Sequence, residues 1–273
     1  MSLLQAIILG IIQGLTEFLP VSSSAHLVIA PFLFGWQIPP EQSFPFDVLV
    51  QMGTLLAVIV YFWKDLMEIG VAFVRGLIER RPFADPNSRL GWLLILATIP
   101  AGLLALLIKD QVEAAFNSPA AVGGFLLVTA VLLVTAERIG RRSRSFDKIT
   151  WVDSLWIGIG QALALFPGIS RSGATISTGM SRQLDRPAAA RFSFLMSVPI
   201  MLAAGLVTSL DLLDLPNLSS FLPSITAGFL AAAVVGYLSI RWLLSFLVRH
   251  SLNAFAIYCA ALAILTLVVY FTR

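Results

Sequence analysis

Apolar residues run along this chain in long blocks. Six of them reach, or nearly reach, the roughly 20 residues that a helix needs to cross a bilayer. They are Phe46 to Trp63, Leu90 to Ile108, Pro119 to Ala136, Ala188 to Leu210, Phe221 to Leu247 and Asn253 to Phe271, and they predict six transmembrane helices. Two further apolar regions break in the middle: residues 3–35 at Pro20, in a serine-rich turn, and residues 151–186 at Pro167-Gly168. Each half is too short to cross. The pattern therefore predicts two re-entrant helical hairpins, which membranes tolerate only where protein encloses the turn or the turn lines a cavity.

The two broken regions are related. A shift of 148 positions lays Gly10, Ile11, Gln13, Leu15, Phe18, Ser22 and Ser24 on Gly158, Ile159, Gln161, Leu163, Phe166, Ser170 and Ser172, seven identities in the fifteen positions 10–24. Three spans follow each hairpin, and an odd number per repeat turns the second copy upside down. The expected fold is an all-α polytopic membrane protein with an inverted-topology repeat. Residues 1–273 form a single integral membrane domain, with repeats at 1–137 and 151–273 joined by a basic cytoplasmic loop at 138–150. Such repeats bring their broken turns together near the bilayer midplane, where a polar site can form.

Composition agrees: 58% of residues are hydrophobic and 12% charged, against roughly 25% charged in a soluble domain. With a mean hydropathy of +0.89, the polar surface is too small to cover a soluble globule. The net charge of +3 would suit a polyanion if the basic residues clustered on one exposed face, but topology accounts for them. Alternating spans put 15 of the 18 Lys and Arg, from Lys64 to Arg249, on one side; Lys109 and Arg273 fall on the other, and Arg171 lies inside a hairpin. The rich side is cytoplasmic by the positive-inside rule, and no nucleic-acid partner is expected. Glu41, Asp47, Asp110, Glu113, Asp211 and Asp214 fall on the opposite side, and Trp36, Trp63, Trp92, Trp151 and Trp242 near segment ends, as interfacial anchors do. The linker Arg75 to Arg89 reads as a solvated loop. Cys259 is the one cysteine, so no internal disulfide forms, and it is expected to face lipid or pack in the core. The first basic residue is Lys64, so no signal peptide is expected.

An ionisable group at membrane depth is costly unless paired or hydrated, which marks it as functional. Glu17, His26 and Arg171 are such groups within the hairpins. Gln13 and Glu17 share a helical face. Ser22, Ser23 and Ser24 follow Pro20 where a new helix can begin, and its free N–H groups would suit phosphate. The second turn offers Ser170, Ser172, Thr175 and the Arg171 guanidinium, suited to bidentate phosphate binding. Ser22 and Ser24 recur as Ser170 and Ser172, which reads as helix capping. Ser23 breaks the symmetry, facing Arg171, and reads as chemistry. His26 stands three residues from Ser23, whereas His250 reads as a helix-end group. Arg171 would also neutralise Glu17.

The segments Gln13-Gly14-Leu15-Thr16-Glu17-Phe18-Leu19-Pro20-Val21-Ser22-Ser23 with His26, and Pro167-Gly168-Ile169-Ser170-Arg171-Ser172-Gly173-Ala174-Thr175, closely resemble the two signatures of the undecaprenyl-diphosphate phosphatases of the bacitracin-resistance type. The resemblance implies hydrolysis of undecaprenyl diphosphate to undecaprenyl phosphate and phosphate, recycling the lipid carrier of peptidoglycan and other wall polymers and conferring bacitracin resistance. It implies Ser23 as nucleophile, Glu17 and His26 as acid/base or metal-associated groups, and Arg171 as the diphosphate clamp. It also implies a divalent cation, Mg2+ or Ca2+, at Glu17 and Gln13, the latter standing where members can carry a second glutamate. The protein would sit among the lipids of the bacterial inner membrane with its site open to the periplasm, and a homodimer is a candidate assembly. A polyprenyl-phosphate flippase or other transporter with inverted repeats remains the competing class. Phosphatase chemistry based on a histidine nucleophile and a second histidine fits poorly, since only His26 and His250 are present, far apart.

Overall fold

A computed structural model describes residues 1–116, 118–211 and 218–272, excluding the side chains of residues 40, 41, 44, 109, 110, 113, 207–211 and 218–220. The side chains of Glu41, Lys109, Asp110, Glu113 and Asp211, and residues Asp214 and Arg273, thus lie outside the described residues. The described chain is built from α-helices: α1 (Leu3–Thr16), α2 (Ser23–Phe34), α3 (Pro40–Tyr61), α4 (Trp63–Ile78), α5 (Pro86–Leu107), α6 (Lys109–Phe116), α7 (Pro119–Ile139), α8 (Trp151–Leu163), α9 (Arg171–Ser181), α10 (Arg186–Asp211), α11 (Leu218–Leu247) and α12 (Asn253–Thr272). It is a polytopic membrane protein.

Local chemistry sets the broken regions. A capping box opens α1, with Ser2 and Gln5 each bonding the other's backbone N–H; Thr150 and Asp153 open α8 in the same way. This satisfies two N–H groups that a helix start leaves unpaired. Ser22 then caps α2 through the Ala25 N–H, and Ser170 caps α9 through the Gly173 N–H. Both pairs of caps are spaced as the 148-residue shift requires.

Helices α5, α7, α10, α11 and α12 contain stretches long and apolar enough to cross a membrane. The expected span Phe46–Trp63 lies mostly in α3, which turns by 80° into α4. Helix α4 was not legible in the sequence and shortens the expected loop to a few residues. Its Met67, Val71, Val74 and Ile78 are exposed, whereas Ile69 and Gly76 pack inward beneath α5.

Helix α1 packs along α11, and α8 packs along α5. Both crossings need glycine, because a Cβ on Gly10 would lie 2.3 Å from the Gly228 carbonyl oxygen and one on Gly158 would lie 2.5 Å from that of Ala97. Around them the core is aromatic and aliphatic, with Phe18 edge-on to Phe194 at 5.3 Å. Cys259 is fully buried in it, so packing rather than lipid contact is its place.

The basic loop between α7 and α8 is tied down. Arg144 grips Asp153 through both oxygens at 3.0 and 2.6 Å, and Arg182 adds a third bond at 2.9 Å. Burial alone would raise the Asp153 carboxyl, but these bonds and those from Thr150 hold it at about 2. Glu137 similarly gathers Arg186, Arg142 and the Leu252 N–H, and Arg191 pairs with Asp65. Arginines that report orientation therefore also knit the helix ends together. His250 follows α11 and stacks on Phe246, with Nδ1 at 3.2 Å from its carbonyl oxygen.

Candidate functional site

Both breaks put a chemically equipped turn before a short helix. In the first, Ser22 adopts φ 69°, a left-handed conformation that costs a non-glycine residue and clusters at functional sites. Its Oγ stays engaged with the Ala25 N–H at 3.3 Å and with Ser24 Oγ at 3.2 Å. In the second, Gly168 takes φ +106°, and a Cβ there would lie 2.5 Å from the Val122 carbonyl oxygen. Thr129, on α7, pins this turn by donating to the Gly168 carbonyl at 2.8 Å and accepting from the Ser170 N–H at 2.9 Å.

The two turns meet. Arg171 Nη2 lies 3.0 Å from Glu17 Oε1, and Ser172 Oγ donates to the Leu19 carbonyl at 2.9 Å. The other Glu17 oxygen accepts from Ser23 Oγ at 2.6 Å and from Gln13 Nε2 at 2.9 Å. Gln13 is braced by Thr54 at 3.4 Å. Arg171 also reaches the Ser193 carbonyl at 3.3 Å, while its Nε is buried without a partner. A carboxylate held by a cation and two neutral donors stays ionised and aimed. It sits against the one hydroxyl, Ser23, that the repeat does not duplicate.

Glu17, Ser22, Ser23, Ser24, Ser170 and Arg171 line a cavity of about 210 Å³, together with Gln51, Gln161 and apolar residues of α5, α10 and the second break. Sites that enclose a whole small-molecule ligand hold roughly 300–1,000 Å³, so this space suits a headgroup whose tail stays outside. Gln13, His26, Ser172 and Thr175 stand off its wall. Thr175 bonds the Arg171 carbonyl at 2.7 Å and Ser193 Oγ at 2.6 Å, behind the guanidinium. His26 is turned away from Ser23: Nδ1 lies 2.7 Å from the Ser22 carbonyl oxygen, and Nε2 lies 2.7 Å from the Tyr258 hydroxyl. A carbonyl only accepts, so Nδ1 carries the proton and Nε2 accepts from Tyr258.

Sequence reasoning missed Thr54, Thr129, Ser193 and Tyr258. They lie on spanning helices where a lone hydroxyl in an apolar run carries no pattern; only their membrane depth could have drawn notice.

Among the described residues no three His, Cys, Asp or Glu side chains gather closely enough to hold a metal. Glu17 is the only carboxylate at the cavity among them. That donor set cannot build an all-protein Ca2+ cage of six to eight oxygens, but it fits Mg2+, which binds through one or two carboxylates plus substrate phosphates.

The family profile described as Bacitracin resistance protein BacA matches residues 6–265. The chain is 43% identical to an undecaprenyl-diphosphatase of Thermomicrobium roseum over the full length of both proteins. It is 45% identical to that of Rubrobacter xylanophilus over 97% of each chain, and 45% identical to that of Chlorobaculum parvum over 97% of this chain and 95% of the other.

Proposed function

The chain belongs to the bacitracin resistance protein BacA family, and from that premise we propose how its site carries out the reaction, hydrolysis of undecaprenyl diphosphate to undecaprenyl phosphate and inorganic phosphate. The observation that carries the mechanism is the short Ser23–Glu17 hydrogen bond beside Arg171. Ser23 Oγ passes its proton to Glu17 Oε2 and attacks the terminal phosphorus. The bond from that phosphorus to the bridging oxygen breaks, and its electron pair leaves on undecaprenyl phosphate. Water then attacks the phosphoserine, the P–Oγ bond breaks, and Glu17 returns the proton to Ser23.

Arg171 serves as the clamp. Glu17 and the Ser193 carbonyl hold one edge of its guanidinium, and the partnerless Nε leaves donor capacity for phosphoryl oxygens whose charge spreads in the transition state. Glu17, with Gln13 as a neutral oxygen donor, would hold a divalent cation that neutralises phosphoryl charge. His26 acts on the turn rather than on the proton, because both its ring nitrogens are committed.

For the fold, the reading is six spans, α3, α5, α7, α10, α11 and α12, with two re-entrant hairpins, α1–α2 and α8–α9, in inverted repeats at 1–137 and 151–273. The matching 148-residue spacing of capping boxes and turn caps supports it. The basic helix ends mark the cytoplasm of an inner-membrane protein, which leaves the site facing the periplasm.

A detergent assay tests the function, since no gradient exists there to drive transport. Phosphate released from undecaprenyl diphosphate, and less of it with chelator, is the expected result. A protein that binds the lipid but releases no phosphate is a carrier and overturns the reading.

A further inference from the structure

Hydrolysis needs a water molecule in line with phosphorus, and an in-line water needs an acceptor to aim its protons away. Glu17 is not free for this task, being engaged by Arg171, Gln13 and Ser23. The hydroxyls of Ser22 and Ser24 bond each other, as do those of Ser170 and Ser172.

Gln161 differs. It lines the same cavity, is 3% exposed, and its Oε1 is buried without a partner. Its Nε2 points at the Ala97 carbonyl, 3.5 Å away. A carbonyl cannot donate, so flipping the amide would set two acceptors against each other; the oxygen is the atom left over. Leaving a buried acceptor unpaired costs roughly 1–3 kcal/mol, a penalty that binding a donor would relieve. The crossing at Gly158 fixes this placement, because it brings α8 onto α5 at Ala97 itself. The repeat sharpens the contrast. Gln13, the counterpart of Gln161, spends its amide on Glu17 four residues on, whereas the residue four beyond Gln161 is the apolar Leu165.

We infer that Gln161 Oε1 accepts a hydrogen bond from the hydrolytic water and orients it toward the phosphorus that Arg171 clamps. The inference rests on the phosphatase mechanism above. One proton of that water stays on the new phosphate as its hydroxyl, and the other leaves with the released phosphate.

The experiment uses undecaprenyl diphosphate labelled with 32P at the terminal phosphate, in detergent buffer containing methanol, and measures the ratio of methyl phosphate to inorganic phosphate. Gln161→Leu removes the acceptor at similar volume; kcat is expected to fall about 10²-fold with KM little changed, and the methanol ratio to rise severalfold as water loses its advantage. Gln161→Asn withdraws the oxygen and carries the same expectation should the leucine variant fail to fold. Gln161→Glu keeps an oxygen at the same reach and is expected to return the ratio toward wild type. A wild-type ratio in the folded leucine or asparagine variant overturns the inference, whatever happens to kcat. Rapid-quench labelling separates it from the reading beneath it: absence of 32P on Ser23 in wild type and variant defeats the covalent route, while a raised methanol ratio still supports a water held by Gln161.

Discussion

Glu17 and Arg171 stand 154 residues apart in the chain and 3.0 Å apart in the fold, one from each broken region. Their side chains are 3% and 14% exposed, so neither charge has much water to fall back on. Removing one partner from a buried pair strands the other, which costs about 3–5 kcal/mol. The pair thus couples the integrity of the site to its chemistry.

Arg171→Lys tests the clamp. Lysine keeps the charge near Glu17 but offers a point charge in place of a planar fork, so the protein is expected to fold and to lose most of its kcat/KM in the detergent assay. Near-wild-type turnover would count against bidentate phosphate binding.

Ser23→Ala and Glu17→Gln separate nucleophile from base. Ser23→Ala is expected to abolish the phosphoenzyme and to cut kcat to background, while Glu17→Gln should lower kcat by about 10²–10⁴-fold, the usual worth of a positioned general base. Rapid-quench trapping of 32P on the protein reads both. Normal turnover by the alanine variant sinks the covalent route.

His26 and Tyr258 are expected to behave as one unit. Tyr258→Phe and His26→Gln each remove a hydrogen bond at the Ser22 turn, and both should lower thermal stability, by about 1–3 kcal/mol for a bond lost at a buried ring, without changing the shape of the pH–rate profile. If His26→Gln erases a limb of that profile and Tyr258→Phe does not, His26 is the base.

Asp153, outside the spanning helices, sets an acid limit on stability. Its carboxyl sits at about 2 in the folded protein, below the ordinary value near 3.9, so it favours folding above about pH 4 and loses that contribution as pH falls toward 2. Asp153→Asn is expected to lower the Tm near neutral pH, leave turnover of the folded fraction intact, and flatten the dependence of Tm on pH between about 4 and 2. An unchanged pH dependence would show that Arg144 and Arg182 do not anchor the loop through this carboxylate.

The sequence alone determined the membrane setting, the two breaks and their turn chemistry, because these are local: run length, proline, capping serines and the spacing of basic residues need no knowledge of neighbours. It also singled out Glu17, Ser23 and Arg171, since charge at membrane depth and a serine that breaks a repeat are visible in one dimension. It could not say what they touch. Proximity in sequence suggested His26 as Ser23's partner, yet in the fold Tyr258 and the Ser22 carbonyl claim the imidazole, and the carboxylate six residues before Ser23 accepts its hydroxyl. Thr129, Ser193 and Gln161 gain meaning only once α7, α10 and α8 are packed around the turns. Partner choice for a polar group in an apolar bundle follows from which donor or acceptor the packing leaves within about 3 Å, and that distance is settled by tertiary structure.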